Sequence, residues 1–367
     1  MSKSNLALLV LNNCKEFGEL VEKNLQKIRK EKDTKYIIPI TETRFSNGEG
    51  KITIDESVRG KDVFIISDVG NYGVEYMCHG RPHIMTPDEH FQDIKRTISA
   101  TCGNAATIHV VMPLLYASRQ HRRKARESLD CAIGLQELER LGIKSILTFD
   151  AHDPNVCNSV PNLSLDNVYP TSTIMKQMVK DEPEIFENTL VISPDFGAMD
   201  RARYYAEIIG CDVGVFYKRR DLSKVVNGKN PIVEHAYMGS EVKGKNILIV
   251  DDMIASGGSI IEVASELRKM GAKKICATCT FALFTEGFER FLKAKEENLI
   301  DLLYTTNLSY IPKEITDYEW FHCIDMSNFV AEIINSMDNK EALSECLDRT
   351  RETFKAVRKS ISKNGVI

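Results

Sequence analysis

Short apolar runs alternate with amphipathic stretches along almost the whole chain, and that rhythm leaves few folds open. LALLVL reads as a strand, and CKEFGELVEKNLQKI as a helix with Phe17, Leu20, Val21 and Leu25 on one face. KDVFIISDV is the next strand. HFQDIKRTISAT then sets Phe91, Ile94 and Ile98 at helical spacing, and ATIHVVMPLL reads as a buried strand. ESLDCAIGLQELERLG aligns Cys131, Leu135 and Leu138 on a helix that Gly142 stops, before the strand IKSILTFD. The alternation restarts past residue 165 with TLVISPD, AMDRARYYAEIIG and DVGVFYKRR. It continues through KNILIVDD, SIIEVASELRKMGAKK and ICATCTFALF. Strands that alternate with helices build mostly parallel sheets covered on both faces. A chain of 367 residues has room for two such α/β domains, expected over 1–165 and 166–325 and divided between Val160 and Pro170. Residues 326–367 form a helical, increasingly charged segment (ECLDRTRETFKAVRKSISK) that reads as a solvated terminal helix.

Charge and cysteine usage narrow the class. The net charge of −4 provides no whole-chain basic field for nucleic acid, so any anion site is local. No apolar run approaches the roughly 20 residues that span a bilayer. LALLVL is too short for a secretory core and runs into NNCKEF without a small-residue cleavage site. Ten cysteines without a secretion signal read as reduced thiols, so a cytoplasmic protein with no membrane or nucleic-acid partner is expected. CATC at Cys276 and Cys279 lies in a strand-like run with no second pair, which favours core packing over zinc. Cys78, His79 and His83 in CHGRPH have only weak metal-ligand spacing.

Ligands of open parallel sheets collect at the carboxyl ends of strands. Here those ends carry TFDAHDP, ISPDFGAMDR, YKRRD and IVDDMIASGGS. In the last, the strand Ile247–Val250 runs into Asp251 and Asp252, and Ala255, Ser256, Gly257, Gly258 and Ser259 turn into a helix starting near Ile260. Two carboxylates accept from a vicinal diol, while glycine-spaced amides at a helix N-terminus favour a phosphate. The plain alternative, an aspartate capping the helix, accounts for one acid and not two.

This stretch resembles the phosphoribosyl-pyrophosphate loop shared by type I phosphoribosyltransferases and ribose-phosphate pyrophosphokinases. TRFSNGEGKITIDESVRG, SRQHRRKARES, DAHDP, SPDFGAMDRAR and YKRRD, in that order, resemble segments of the pyrophosphokinases in particular, and TTN at 305–307 also fits. The resemblance implies two phosphoribosyltransferase-like domains and an enzyme that transfers the β,γ-diphosphate of ATP to the C1 hydroxyl of ribose 5-phosphate, releasing AMP. It implies that Phe45, Asn47 and Glu49 hold adenine from a hairpin serving a neighbouring subunit, hence a homo-oligomer built from dimers or a hexamer. Arg119 and Gln120 would bind ATP, His152 and Asp195 would face Mg2+, and Asp195 would also border the ribose 5-phosphate. Lys218 and Arg220 would act on the transferring group, with DLSKVVNGKNP behind them as a mobile lid. Ala255 stands where the family has an acid, Asn47 replaces an aspartate, and Phe281 replaces a histidine. Leu114 and Leu115 replace aromatic residues, DPNVCN lacks the family's continuation after the histidine, and NYGVEYMCHGRPHIM has no family counterpart. Two other readings stay open: a non-catalytic nucleotide-binding regulatory paralogue, and a type I phosphoribosyltransferase acting on a base.

Overall fold

The computed structural model describes residues 5–123, 125–220, 232–344 and 350–363. Its chain forms two compact units. The first sheet is built mostly from apolar segments, although its last strand, SLDNV, is polar and only partly buried. Strands β1 (Leu6–Val10), β4 (Asp62–Ile66), β7 (Thr107–Val111), β8 (Ser145–Phe149) and β9 (Ser164–Val168) lie side by side in that order, every pair parallel. All five residues of β1 and of β8 are buried, as expected for a sheet covered on both faces. Between β1 and β4 the chain makes helix α1 (Lys15–Arg29) and a hairpin of β2 (Ile40–Arg44) and β3 (Gly50–Ile54). Between β4 and β7 it makes a second hairpin, β5 (Glu75–Cys78) and β6 (Arg81–Ile84), and then α2 (Pro87–Ala100). Helix α3 (Asp130–Arg140) joins β7 to β8.

Two helices test the sequence patterns. On α1, Phe17, Val21 and Leu25 are buried, but Leu20 is among the exposed apolar residues, so the apolar stripe is narrower than expected. Helix α2 starts on a capping box: the Thr86 side chain accepts the Glu89 N–H, and the Glu89 carboxylate accepts the Thr86 N–H.

The second unit holds a seven-stranded sheet in the order β12, β11, β10, β13, β14, β15, β16. Its strands are β10 (Thr189–Ser193), β11 (Asp212–Arg220), β12 (Ile232–Met238), β13 (Asn246–Ile254), β14 (Lys274–Ala282), β15 (Leu302–Thr306) and β16 (Phe321–Ile324). Only β12, at an edge, runs antiparallel. Helices α4 (Thr171–Asp181), α5 (Met199–Ile209), α6 (Gly258–Lys269), α7 (Glu289–Glu296) and α8 (Lys313–Thr316) fall between or before these strands. Cys276 and Cys279 are buried inside β14, in agreement with the core reading of CATC.

The first unit runs to Pro170 and takes back Asn307–Pro312 and helix α9 (Ser327–Asp338), which packs on α1 through Arg29 with Asn335 and Asp338. Helix α10 (Thr350–Lys363) belongs to the second unit instead. The segment 326–367 is therefore shared between the units. The solvated reading of its end is corrected too: Thr353 and Val357 are fully buried, and Glu352 pairs with Lys176 of α4. A charged helix with a narrow apolar stripe is read as surface until its partner face is known.

Candidate active site

Apart from those on the first hairpin, the candidate residues of each unit lie at or near the carboxyl ends of parallel strands. In the first unit the chain leaves β7, passes Ala117 in the left-handed region (φ 50°), and presents exposed Arg119 and Gln120 on a single 3-10 turn, Ser118–Gln120. Beside it, β8 ends and Asp150 turns the chain with φ 44°. Backbone N–H groups of Asp150 and Ala151 donate to Val168 and the Asn167 side chain, which fixes the loop carrying exposed His152. The two loops meet through His121. Its Nε2 lies 3.3 Å from an Asp153 carboxylate oxygen, and its ring stands edge to face with His152 at 5.5 Å. Sequence reasoning passed over His121 and Asp153, although both sit inside segments it singled out.

The turn of the first hairpin carries this unit's other candidates, Phe45, Asn47 and Glu49. The Phe45 N–H donates to the Glu49 carbonyl, the Gly48 N–H to the Phe45 carbonyl, and the Glu49 N–H to the Asn47 side chain. Phe45 is 47% exposed at this turn, so its side chain is open to solvent.

In the second unit Asp195 follows β10. It is exposed, and its Oδ1 accepts the N–H groups of Gly197 and Ala198 at 2.7 and 3.2 Å. On the adjacent strand β13 the structure corrects one expectation. The acids do not leave the strand's end: β13 continues through Asp251 and Asp252 to Ile254, because Met253 and Ile254 pair with Phe281 and Ala282 of β14 and are buried there. Asp252 is only 4% exposed. Each acid accepts the next residue's own N–H at 2.9 Å, Asp251 from Asp252 and Asp252 from Met253. Burial first, and then the charge and hydrogen bond of Asp252, push the Asp251 carboxyl well above the ordinary carboxylate range.

The phosphate-loop candidates follow directly. Helix α6 begins at Gly258, earlier than the expected start near Ile260, with Gly257 as its N-cap in the left-handed region (φ 78°). A side chain at Gly257 would also meet the Phe291 ring, whose nearest atom lies 2.2 Å from where a Cβ would sit. No side chain caps α6 and its first turn holds no acid. The first amides of a helix have no partner one turn back, so this end is electropositive and supplied with donors. Ala255 and Ser256 are half-buried and Ser259 is exposed. Arg290, which sequence reasoning missed, brings Nη1 within 3.9 Å of a would-be Cβ on Gly258.

Lys218 and Arg220 lie at the end of the expected segment DVGVFYKRR, since β11 extends to Arg220 and pairs Lys218 with His235 of β12. The register shifts between Arg219 and Arg220. The lid expected over DLSKVVNGKNP lies outside the described residues. Among the described residues no group of three or more His, Cys, Asp or Glu side chains converges to hold a metal. That includes Cys78, His79 and His83, where His83 is engaged with Glu89 at 2.9 Å. No helix among the described residues is long and apolar enough to cross a membrane.

Two family models match successive parts of the chain. The model of the N-terminal domain of ribose phosphate pyrophosphokinase matches residues 6–142, and the phosphoribosyl transferase domain model matches residues 172–295. The ribose-phosphate pyrophosphokinase of Mycoplasma pneumoniae is 30% identical over 324 residues, covering 86% of this chain and 90% of its own. That of Vibrio cholerae is 29% identical over 307 residues, 83% of this chain and 89% of its own. Among solved structures, phosphoribosylpyrophosphate synthetase from Mycobacterium smegmatis has the same fold, with a TM-score of 0.76 at 21% identity over 92% of this chain and 99% of that one. Two phosphoribosyltransferase-like domains, each a parallel-dominated sheet flanked by helices, with relatives of this identity over most of their length, place the chain in the ribose-phosphate pyrophosphokinase family.

Proposed function

We propose that the chain transfers the β,γ-diphosphate of ATP to the C1 hydroxyl of ribose 5-phosphate, giving phosphoribosyl pyrophosphate and AMP. One observation carries the reading: the acid-bearing strand β13 runs straight into an uncapped, acid-free helix start, beside the strand that delivers Asp195. Asp251 and Asp252 accept the sugar hydroxyls. Backbone amides from Ala255 to Ser259, with Ser256 and Ser259 hydroxyls alongside, hold the 5-phosphate. Gly257 and Gly258 keep that cradle free of side chains, and Ala255 contributes an amide without an acid's repulsion.

In the first unit Arg119 and Gln120 hold the ATP phosphates and nucleoside, and Phe45, Asn47 and Glu49 hold adenine, the last three in a neighbouring copy of a homo-oligomer. Mg2+ fits residues of this kind. It binds through one or two carboxylates while keeping waters and substrate phosphates, so it needs no closed protein cage; exposed Asp195 suits that use, while His152, a nitrogen donor, is proposed to face it on the family resemblance alone. When bound, it neutralises the ATP phosphates. Lys218 and Arg220 take up the charge that develops as the diphosphate leaves AMP.

Incubating the purified chain with magnesium-ATP and ribose 5-phosphate tests this. AMP release that requires ribose 5-phosphate is expected. ATP binding without AMP release would contradict it in favour of a regulatory role. Pyrophosphate release from phosphoribosyl pyrophosphate only with a base present would contradict it in favour of a transferase.

A further inference from the structure

The segment 71–85, expected from sequence to lack a family counterpart, folds as the second hairpin, β5–β6, and contacts the turn of the first. The tip His79–Gly80 has φ of 48° and 76°, the paired positive values of a tight two-residue hairpin turn. From that tip the His79 N–H donates to the Ser46 carbonyl at 2.7 Å, in the middle of the Phe45–Glu49 turn. Behind the tip the Tyr76 ring lies under the Arg44 guanidinium, 5.7 Å from carbon to centroid. Arg44 is the residue immediately before the turn, and it also pairs with Asp93 of α2. Tyr76 Oη and Cys78 Sγ stand 3.5 and 3.7 Å from where a Cβ on Gly48 would sit, so the hairpin floors the turn. The hairpin is itself tied down at its base. The Tyr76 hydroxyl donates to one Glu89 carboxylate oxygen at 2.6 Å, and His83 Nε2 lies 2.9 Å from the other. Glu89 is fixed by the capping box of α2, so the anchor is rigid.

A turn of residues 45–49 that holds an exposed phenylalanine loses conformational freedom when it meets a ligand, and rigidity beforehand removes that loss. We propose that the β5–β6 hairpin is a brace that preorganises the Phe45–Glu49 turn for an adenine nucleotide, with Tyr76 as its positioning residue. The proposal rests on the assignment of that turn to adenine. Tyr76 touches neither substrate nor reacting atoms in this account; it acts through Arg44, Glu89 and the turn backbone.

The test uses the full chain carrying Tyr76→Ala or Tyr76→Phe, with Tyr76→Leu as a bulk-preserving substitute should the alanine variant not fold. Tyr76→Ala is expected to raise the KM for ATP about five- to tenfold, leaving kcat and the KM for ribose 5-phosphate within about twofold. Tyr76→Phe keeps the ring under Arg44 and is expected to restore most of the loss. Hydrogen exchange of the Phe45 and Gly48 amides is expected to quicken in the alanine or leucine variant, and ATP is expected to slow it in the unaltered chain. An unchanged KM for ATP together with unchanged exchange would overturn the proposal, as would equal losses for both substrates. Should the unaltered chain release no AMP, the catalytic reading fails by itself. The brace is then judged on the exchange of the two amides and on their protection by ATP.

Discussion

Asp251 shows what a single residue contributes and what it costs the fold. Its carboxyl is held well above the ordinary range by burial and by Asp252, so ionisation at neutral pH works against the folded state. For an acid whose folded value is raised, the favourable contribution is complete below the unfolded value and is lost as pH rises through the folded one. Asp251→Asn is therefore expected to raise the thermal midpoint at neutral pH, with the gain vanishing in acid, while abolishing saturation by ribose 5-phosphate. Differential scanning calorimetry at the two pH values checks the first part and a substrate titration the second. A lower midpoint at neutral pH would contradict the argument. Lys218→Ala is expected to reduce turnover by roughly 10²–10³-fold, the range for a group used mainly in the transition state. Unchanged turnover at saturating substrates would remove Lys218 from the mechanism. At this scale most of the candidate site was legible, because the chemistry of acids, glycines and cations is written in residue types. His121, Asp153 and Arg290 were not, since each matters through a neighbour distant in sequence or one turn away on another element.

At the scale of elements, the joint between β13 and α6 depends on Gly257. Both its left-handed φ of 78° and the Phe291 ring exclude a side chain. Gly257→Ala is expected to destabilise the second unit by about 1–3 kcal/mol from backbone strain alone, with more from displacement of Phe291. Urea unfolding measures this, and a loss below about 0.5 kcal/mol would show that the loop relaxes freely. β1, β4, β7, β8, β10, β11, β13 and β14 were legible from their apolar runs, whereas β9, β15 and β16 went unread, β9 because its sequence SLDNV is polar. β12 and the second hairpin were not read as strands, the first hairpin was expected only from the family resemblance, and the physical reason is their position. An edge strand or a short exposed ribbon needs no continuous apolar run, so β5 (EYMC) and β6 (RPHI) look like loop in sequence. The strand through Asp251 and Asp252 ran longer than expected because two apolar residues beyond the acids still had a partner on β14.

For the whole molecule, the division into units is interleaved, which no local pattern announces. Asn307–Pro312 returns to the first unit, where buried Asp68 receives it: Oδ2 accepts the Tyr310 N–H at 2.8 Å, and both carboxylate oxygens lie 3.0 Å from the Ser309 hydroxyl. Gly70 adds a third donor at 2.9 Å. Burial nonetheless dominates and raises the Asp68 carboxyl to about 6, against the lowering by these donors. Asp68→Ala strands the Tyr310 and Gly70 amides and is expected to cost about 2–4 kcal/mol. By the sign rule above, the wild-type advantage is largest in acid and shrinks as pH rises through about 6. Urea titrations at about pH 5 and about pH 7.5 are expected to show a wider gap between the two proteins at the lower value. A wider gap at the higher value would contradict the account. The two-domain α/β plan was readable from the alternation, whereas this crossing was not, because the groups that make it, Asp68 with Ser309 and Tyr310, lie 241 and 242 residues apart in sequence.

The central claim is that the β13–α6 joint grips a phosphorylated pentose. Crystals soaked with ribose 5-phosphate test it most directly. The phosphate is expected within hydrogen-bonding distance of the amides between Ala255 and Ser259, with two ring hydroxyls on Asp251 and Asp252. A sugar phosphate bound elsewhere, with both acids still closed on their own backbone, would contradict it.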